Sequence, residues 1–203
     1  MSYWEHQSIV LMNTTLSFFK ESLRNLRTTG AIVRSSKFLV KEMIKPINFK
    51  HAKVIVELGA GDGVMTFEIL KHMQPNARLL CFEINPQFCE ILRGIKDERF
   101  ILIEDSAELL KDYMKKMNIK EVDYIISAIP FVALPDELSQ SIVKGCFNAL
   151  KKRGLYIQFH YSTMIKKMYK AIFGNIDINF VPLNFPPAFV MICEKKWDFN
   201  YEL

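Results

Sequence analysis

From about residue 53 onward the chain alternates short apolar runs with amphipathic stretches. Lys53-Val54-Ile55-Val56-Glu57-Leu58 is β-branched and apolar, and it runs into the glycine cluster Gly59-Ala60-Gly61-Asp62-Gly63. That pattern predicts a buried parallel strand followed by a tight loop. Val64, Phe67, Ile69, Leu70 and Met73 then suit a helix. Residues 79–83 and 100–104 predict strands two and three, 107–117 a helix, 122–127 strand four, and 135–150 a helix with Pro135 near its first turn. Gly154 breaks the pattern ahead of strand five at 155–161. A helix follows over 163–173, and two closing strands over 176–183 and 188–195 are joined through Asn184-Phe185-Pro186-Pro187. Strand, loop and helix repeated in this order predict a doubly wound α/β sheet of seven strands, with ligands at the carboxyl ends of the strands.

Upstream the periodicity changes. Ile9, Met12, Leu16, Phe19, Leu23 and Leu26 recur at spacings of three and four, one stripe of an amphipathic helix. Thr28-Thr29-Gly30 ends it. A second short helix is capped by Ser35 or Ser36, buries some of Phe38, Leu39, Val40, Met43 and Ile44, and stops at Pro46. The division that follows is an N-terminal helical cap over residues 1–50 and a second domain over 51–203.

Charge sharpens that division. The net charge is +5, but residues 20–53 hold nine Lys or Arg and two acids, so that segment alone carries +7. A basic cap on a near-neutral domain implies an anionic partner: a membrane surface, nucleic acid or a phosphate-bearing substrate. The cap suits two roles, a lid packed on the domain or a helix lying in a lipid headgroup layer. Half of the 203 residues are hydrophobic and 24% are charged, as in a globular domain. No apolar run is long enough to span a bilayer, and the start has neither a basic n-region nor an apolar h-region. Cys81, Cys89, Cys146 and Cys193 are scattered without a C-x-x-C and read as reduced core thiols of a cytosolic protein. No metal site is expected.

The glycine spacing is G-x-G-x-G, with Val64 where a dinucleotide fingerprint would place its third glycine. Glu83 lies twenty residues past Gly63 at the end of strand two, where a carboxylate can accept both hydroxyls of a ribose. Asp105 ends strand three, where an acid can accept from the exocyclic amine of adenine. The competing reading makes the glycines a tight turn and the acids helix caps. Glycine loop, ribose acid and adenine acid at successive strand ends resemble the cofactor site of class I S-adenosylmethionine-dependent methyltransferases. The resemblance implies a Rossmann-like sheet with its last strand antiparallel. It also implies a cofactor site at Glu57, Gly59, Ala60, Gly61, Asp62, Gly63, Glu83, Ile84, Asp105, Ser106, Ala107 and Ser127, with Glu57 near the methionine ammonium.

Strand four ends in Ser127-Ala128-Ile129-Pro130-Phe131. Amine-directed methyltransferases hold the acceptor nitrogen here, and the adenine-N6 enzymes, rRNA adenine dimethyltransferases among them, begin the motif with Asn or Asp. Ala128 occupies that position and cannot hydrogen-bond an adenine amine, so nucleic acid is disfavoured. With Gly30-Ala31-Ile32-Val33-Arg34-Ser35-Ser36, Gln158-Phe159-His160-Tyr161 and Asn184-Phe185-Pro186-Pro187-Ala188-Phe189-Val190, this turn resembles the bacterial phospholipid N-methyltransferases. The resemblance runs from about Phe18 to Lys195. It departs at Arg34, at Ala128-Ile129, and at Ser162-Thr163 after the Gln158–Tyr161 motif. It implies transfer of methyl groups to an aminophospholipid, phosphatidylethanolamine first, by a protein on the inner face of an anionic membrane. It further implies that Tyr161 and Ser127 orient the amine or head group, and that Arg34, Ser35, Ser36, Pro130, Phe131 and Tyr161 line the substrate site. His160 is expected on the opposite face of strand five from Tyr161. Two alternatives stay open: another amine acceptor (RNA adenine, protein or ornithine lipid), and a non-catalytic membrane-binding module.

Overall fold

The computed structural model describes residues 36–202. The stripe from Ile9 to Leu26, together with Arg34 and Ser35, lies outside the described residues. The elements are α1 (Lys37–Ile44), β1 (Val54–Leu58), α2 (Val64–His72), β2 (Arg78–Phe82), α3 (Pro86–Leu92), β3 (Phe100–Ile103), α4 (Leu110–Lys116), β4 (Val122–Ser127), α5 (Asp136–Ala149), β5 (Leu150–His160), α6 (Lys166–Phe173), β6 (Asp177–Val181) and β7 (Ala188–Glu194). Short 3₁₀ turns at Ala107–Leu109 and Phe131–Ala133 follow β3 and β4.

One seven-stranded sheet holds all the strands in the order β3-β2-β1-β4-β5-β7-β6. Strands β1 to β5 are parallel, and β7 runs antiparallel to both β5 and β6. The strand order reverses between β1 and β4, which places a crevice beyond their carboxyl ends. All five residues of β1 are buried, as a parallel strand covered by helices on both faces requires.

Helix α1, assigned from the sequence to the N-terminal cap over residues 1–50, instead belongs to the core of this sheet, in one compact unit with the residues that follow it. Ser36 caps it, its Oγ accepting from Leu39 N at 3.2 Å, and Pro46 follows just past its end. Leu39, Val40, Met43 and Ile44 pack in one cluster with Ile55, Leu79, Ile126 and Val190. Phe38 stays on the surface.

Strand five differs from expectation. It begins at Leu150 and runs through Gly154 rather than starting after it. The ladder to β4 slips between Val122 and Tyr124, and Arg153 takes a left-handed φ of 65°. A Cβ on Gly154 would stand 2.9 Å from Lys151 O and 3.0 Å from Asp123 O. The glycine therefore admits a bulge inside the strand, and reading it as a terminator misses that. Two helices also start later than expected: α4 is preceded by a 3₁₀ turn, and α6 begins at Lys166.

Buried polar side chains fix the sheet at the edge opposite the crevice. Asp123 accepts from Lys53 N (2.7 Å) and Val54 N (2.8 Å) and pairs with Lys151. Burial raises its pKa, but the Lys151 ammonium and the two amides outweigh that and hold it low. Arg99 donates to Met73 O (2.6 Å) and Leu70 O (2.9 Å), satisfying carbonyls at the end of α2. All four cysteines are free and buried, as expected.

Candidate active site

The glycine loop begins where β1 ends, and it needs the conformations that glycine alone adopts easily. Gly59, Gly61 and Gly63 have φ of 75°, 58° and 82°. A Cβ on Gly59 would meet Ile129 Cγ1 at 3.4 Å and the Ala128 carbonyl carbon at 3.6 Å, so the loop and the turn after β4 are in contact across the crevice. A Cβ on Gly61 would meet nothing within 4 Å. The middle of the loop thus borders open space beside Glu83, which fits a loop that cradles a ligand. Gly63 opens α2.

Glu83 is 5% exposed and works harder than the sequence suggests. Its Oε1 accepts from Ile84 N (2.9 Å) and Asn85 N (2.8 Å), and its Oε2 accepts from Gly61 N (2.8 Å). One carboxylate therefore ties the turn after β2 to the glycine loop, at the position where ribose hydroxyls are expected. Asp105 accepts from Ser106 N at 2.8 Å and from the Tyr113 hydroxyl at 3.0 Å. It does not cap the following 3₁₀ turn. Ser106 does, its Oγ accepting from Glu108 N at 3.3 Å, with Ala107 as the first residue of the turn. Burial, then the bond to Asp105, raises the Tyr113 pKa.

Glu57 is 2% exposed, beneath α2, and accepts from Thr66 Oγ1 at 2.7 Å. Burial pushes its pKa up to about 7 against the hydrogen bonds from Thr66 and Cys81. A ligand ammonium near the start of α2 would be attracted to its charged form, so the donor set fits the expected cofactor: a cradle for its chain, a carboxylate for its sugar and one for its amine.

The turn after β4 is held from below by two buried side chains. Ser127 is fully buried, and its Oγ accepts from Ile129 N at 3.3 Å. Gln158 sits opposite Ser127 in the β4–β5 ladder. Its Nε2 donates to Ile129 O (3.1 Å) and Phe159 O (2.9 Å), while its Oε1 accepts from the Tyr156 hydroxyl (3.1 Å). Ser127, expected to touch the amine, shapes the turn instead. Phe131, expected at the substrate, is 1% exposed and packs among the rings of His160 and Tyr169. Pro130 is half-buried at the start of the second 3₁₀ turn.

Tyr161 is at the rim, just past the end of β5, 38% exposed. Its ring lies edge-on to Phe159 at 5.7 Å, and the Asn184 side chain is beside its hydroxyl. Burial raises its pKa. Asn184 is itself buried, accepting from Ser36 N at 3.2 Å and donating to Pro186 O at 2.7 Å. Ser36 and Asn184, far apart in sequence, are thus joined at the carboxyl edge of the sheet, with Tyr161 beside Asn184. His160 faces the other way, as expected: it is buried, its ring nitrogen 2.8 Å from the Tyr169 hydroxyl. Burial lowers its pKa to about 4, which keeps it neutral. Asn184 and Gln158 were not singled out as site residues. Both stood in the motifs that carried the family resemblance, which was the signal available.

Residues 21–180 match the model of the methyltransferase small domain family. An ornithine lipid N-methyltransferase of Singulisphaera acidiphila is 27% identical over 167 residues, covering 81% of this chain and 87% of that protein. A ribosomal RNA small subunit methyltransferase A of Thermotoga petrophila is 27% identical over 136 residues, 67% of this chain and 49% of its own length. Among solved structures, a precorrin-6y C5,15-methyltransferase of Geobacter metallireducens superposes with a TM-score of 0.61 at 14% identity, covering 76% of this chain and 86% of that one. A putative rRNA methylase of Clostridium thermocellum superposes at 0.57 and 16% identity, over 80% and 97%. The seven-stranded sheet with its reversed last strand is the fold these neighbours share. The chain belongs to the methyltransferase small domain family and is an S-adenosylmethionine-dependent methyltransferase.

Proposed function

We propose that the acceptor of this N-methyltransferase is the primary amine of an aminolipid, phosphatidylethanolamine first, methylated on the inner face of an anionic membrane. The observation that carries this reading is the turn after β4. Ala128 stands where a base-directed site needs a side-chain acceptor, and Ile129 O is already taken by Gln158 Nε2 and Phe131 N. The amine is then oriented by the backbone of Ala128 and by Tyr161, which suits a small, freely presented head group better than a nucleobase.

When bound, S-adenosylmethionine supplies an electrophilic methyl on a sulfonium. The protein's task is to align the nitrogen with that methyl in a closed site, the source of much of the acceleration in such displacements. The amine must also arrive without its proton. His160 is buried on the far face and stays neutral, so desolvation of the amine near the rim is the means left to lower its pKa. The apolar stripe from Ile9 to Leu26, with Lys20, Arg24 and Arg27 beside it, would hold the protein on the bilayer while the head group is engaged, with Arg34 paired to the lipid phosphate.

Ornithine lipid is the second reading, favoured by the N-methyltransferase of S. acidiphila that aligns along most of both chains. Both lipids present a primary amine close to an anionic group. Mass spectrometry of lipids from a host that makes both and methylates neither, carrying this gene, separates them. Mono- to trimethylated phosphatidylethanolamine supports the first reading, methylated ornithine lipid the second, and unmodified lipids contradict both.

A further inference from the structure

Three surface segments meet at the carboxyl edge of the sheet. The Ser36 N to Asn184 Oδ1 bond brings the start of α1 against the turn between β6 and β7, and the register of β5, β7 and β6 puts the segment after β5 at the same edge. Each segment carries a large apolar side chain in solvent. Phe185 is 86% exposed, Met164 83%, Leu183 65% and Phe38 51%. Scattered single apolar residues on a surface need no explanation, but four at one edge, around the entrance to a site, do.

The charges beside this tip all have one sign. Residues 36–41, 162–170 and 182–187 contain five lysines and no acid. Glu42, the next acid along α1, is engaged by Lys45 and by Asn179. Segments that expose large apolar side chains and carry only ammonium charge complement a surface that is apolar below and anionic at its face. A soluble acidic protein would use the lysines but leave Phe185 and Met164 unexplained.

We infer that Phe185, Met164, Leu183 and Phe38 form a second membrane-docking element, within the catalytic domain, that seats the mouth of the crevice on an anionic bilayer. It rests on the aminolipid reading, and it is distinct from the apolar stripe of residues 9–26 and the basic residues beside it. That stripe would bring the protein to the membrane. The tip would set which way the crevice faces and shorten the path from head group to site.

Phe185→Asp and Met164→Asp in the full chain test this, since both side chains are mostly solvent-exposed and their loss leaves the core intact. Sedimentation would use vesicles of phosphatidylcholine alone and of phosphatidylcholine with phosphatidylglycerol. Burying such a side chain is worth enough that each variant should partition roughly tenfold less onto the mixed vesicles. Transfer to a short-chain phosphatidylethanolamine kept monomeric in solution should be unchanged. Parent-like partitioning of both variants would overturn the inference. So would a parent protein that is dimeric in solution and becomes monomeric in either variant, because the tip would then cover a second copy. The vesicles read the surface and the soluble lipid reads the acceptor, so the two proposals can fail separately.

Discussion

Gln158 donates from Nε2 to the carbonyl oxygen of Ile129 at 3.1 Å, across the seam between β5 and the turn that closes the crevice. The bond joins a fully buried amide to the turn after β4, which the proposed function assigns to the acceptor amine. Gln158→Leu removes the donor and keeps the bulk. Misplacement of a reacting group by about an ångström costs on the order of a hundredfold in rate. Methyl transfer should therefore fall about 10- to 100-fold while S-adenosylmethionine affinity, measured by calorimetry, holds. Equal losses in both would make Gln158 a residue of the fold alone.

Glu83 should show two separable effects. A charge-assisted bond to a ribose is worth roughly 1.5–3 kcal/mol, so both Glu83→Gln and Glu83→Ala should weaken cofactor binding by at least about tenfold. Glu83→Ala also strands the amides of Gly61, Ile84 and Asn85, whereas glutamine can still accept some of them. Its melting temperature should fall further than that of the glutamine variant. Unchanged affinity in the glutamine variant would remove Glu83 from the cofactor site.

Two buried groups give opposing pH dependences. Glu57 keeps its proton in the fold up to about pH 7, while the unfolded chain loses it near 4.5, so folding weakens as pH rises through that window. His160 is protonated in the unfolded chain below 6.5 but in the fold only near 4, so folding strengthens as pH rises between those values. Each effect is worth up to roughly 3 kcal/mol at about 1.4 kcal/mol per pKa unit, and they largely cancel. Urea unfolding between pH 4 and 8 should be nearly flat in this respect for the parent protein. It should rise with pH in Glu57→Gln and fall with pH in His160→Gln. Parallel curves for all three proteins would contradict the burial assigned to both groups.

Tyr161→Phe deletes one hydroxyl at the rim, beside the Asn184 side chain. Turnover on lipid vesicles should drop roughly tenfold, the scale of one hydrogen bond to a charged group, with cofactor binding intact. Parent-like turnover would make the hydroxyl a strut for Asn184 and nothing more.

Reversal of Lys20, Arg24 and Arg27 to Glu should cut the preference for anionic over neutral vesicles sharply, leaving only what the lysines beside the apolar tip supply, since each basic residue near an anionic surface contributes about 1 kcal/mol. Salt should weaken the parent's binding without eliminating it, because screening acts on the charges and not on the apolar stripe. Equal pelleting of the parent with both kinds of vesicle would reduce that stretch to a lid.

The sheet, the glycine loop and the acids at the strand ends were readable because their determinants are local. A run of β-branched residues and three closely spaced glycines sit within eleven residues of one another, and each acid ends its own strand. Ser36 was readable as a cap for the same reason. What escaped depends on partners distant in sequence. Gln158 matters because the ladder sets it opposite Ser127, and Asn184 because it meets a backbone amide 148 positions away. Ser127 and Phe131 looked like contact residues from their strand-end position, but burial turns both inward. Gly154 looked like a terminator because its two close backbone neighbours, Lys151 O and Asp123 O, come together only in the folded ladder.

Transfer of labelled methyl from S-adenosylmethionine, measured with the purified protein on separate acceptors, tests the central claim most directly. The acceptors are phosphatidylethanolamine vesicles, ornithine lipid vesicles and unmodified ribosomal RNA. Label should appear in an aminolipid, on nitrogen, and should fall about 10- to 100-fold in Gln158→Leu. Label in the RNA with none in either lipid would contradict the account.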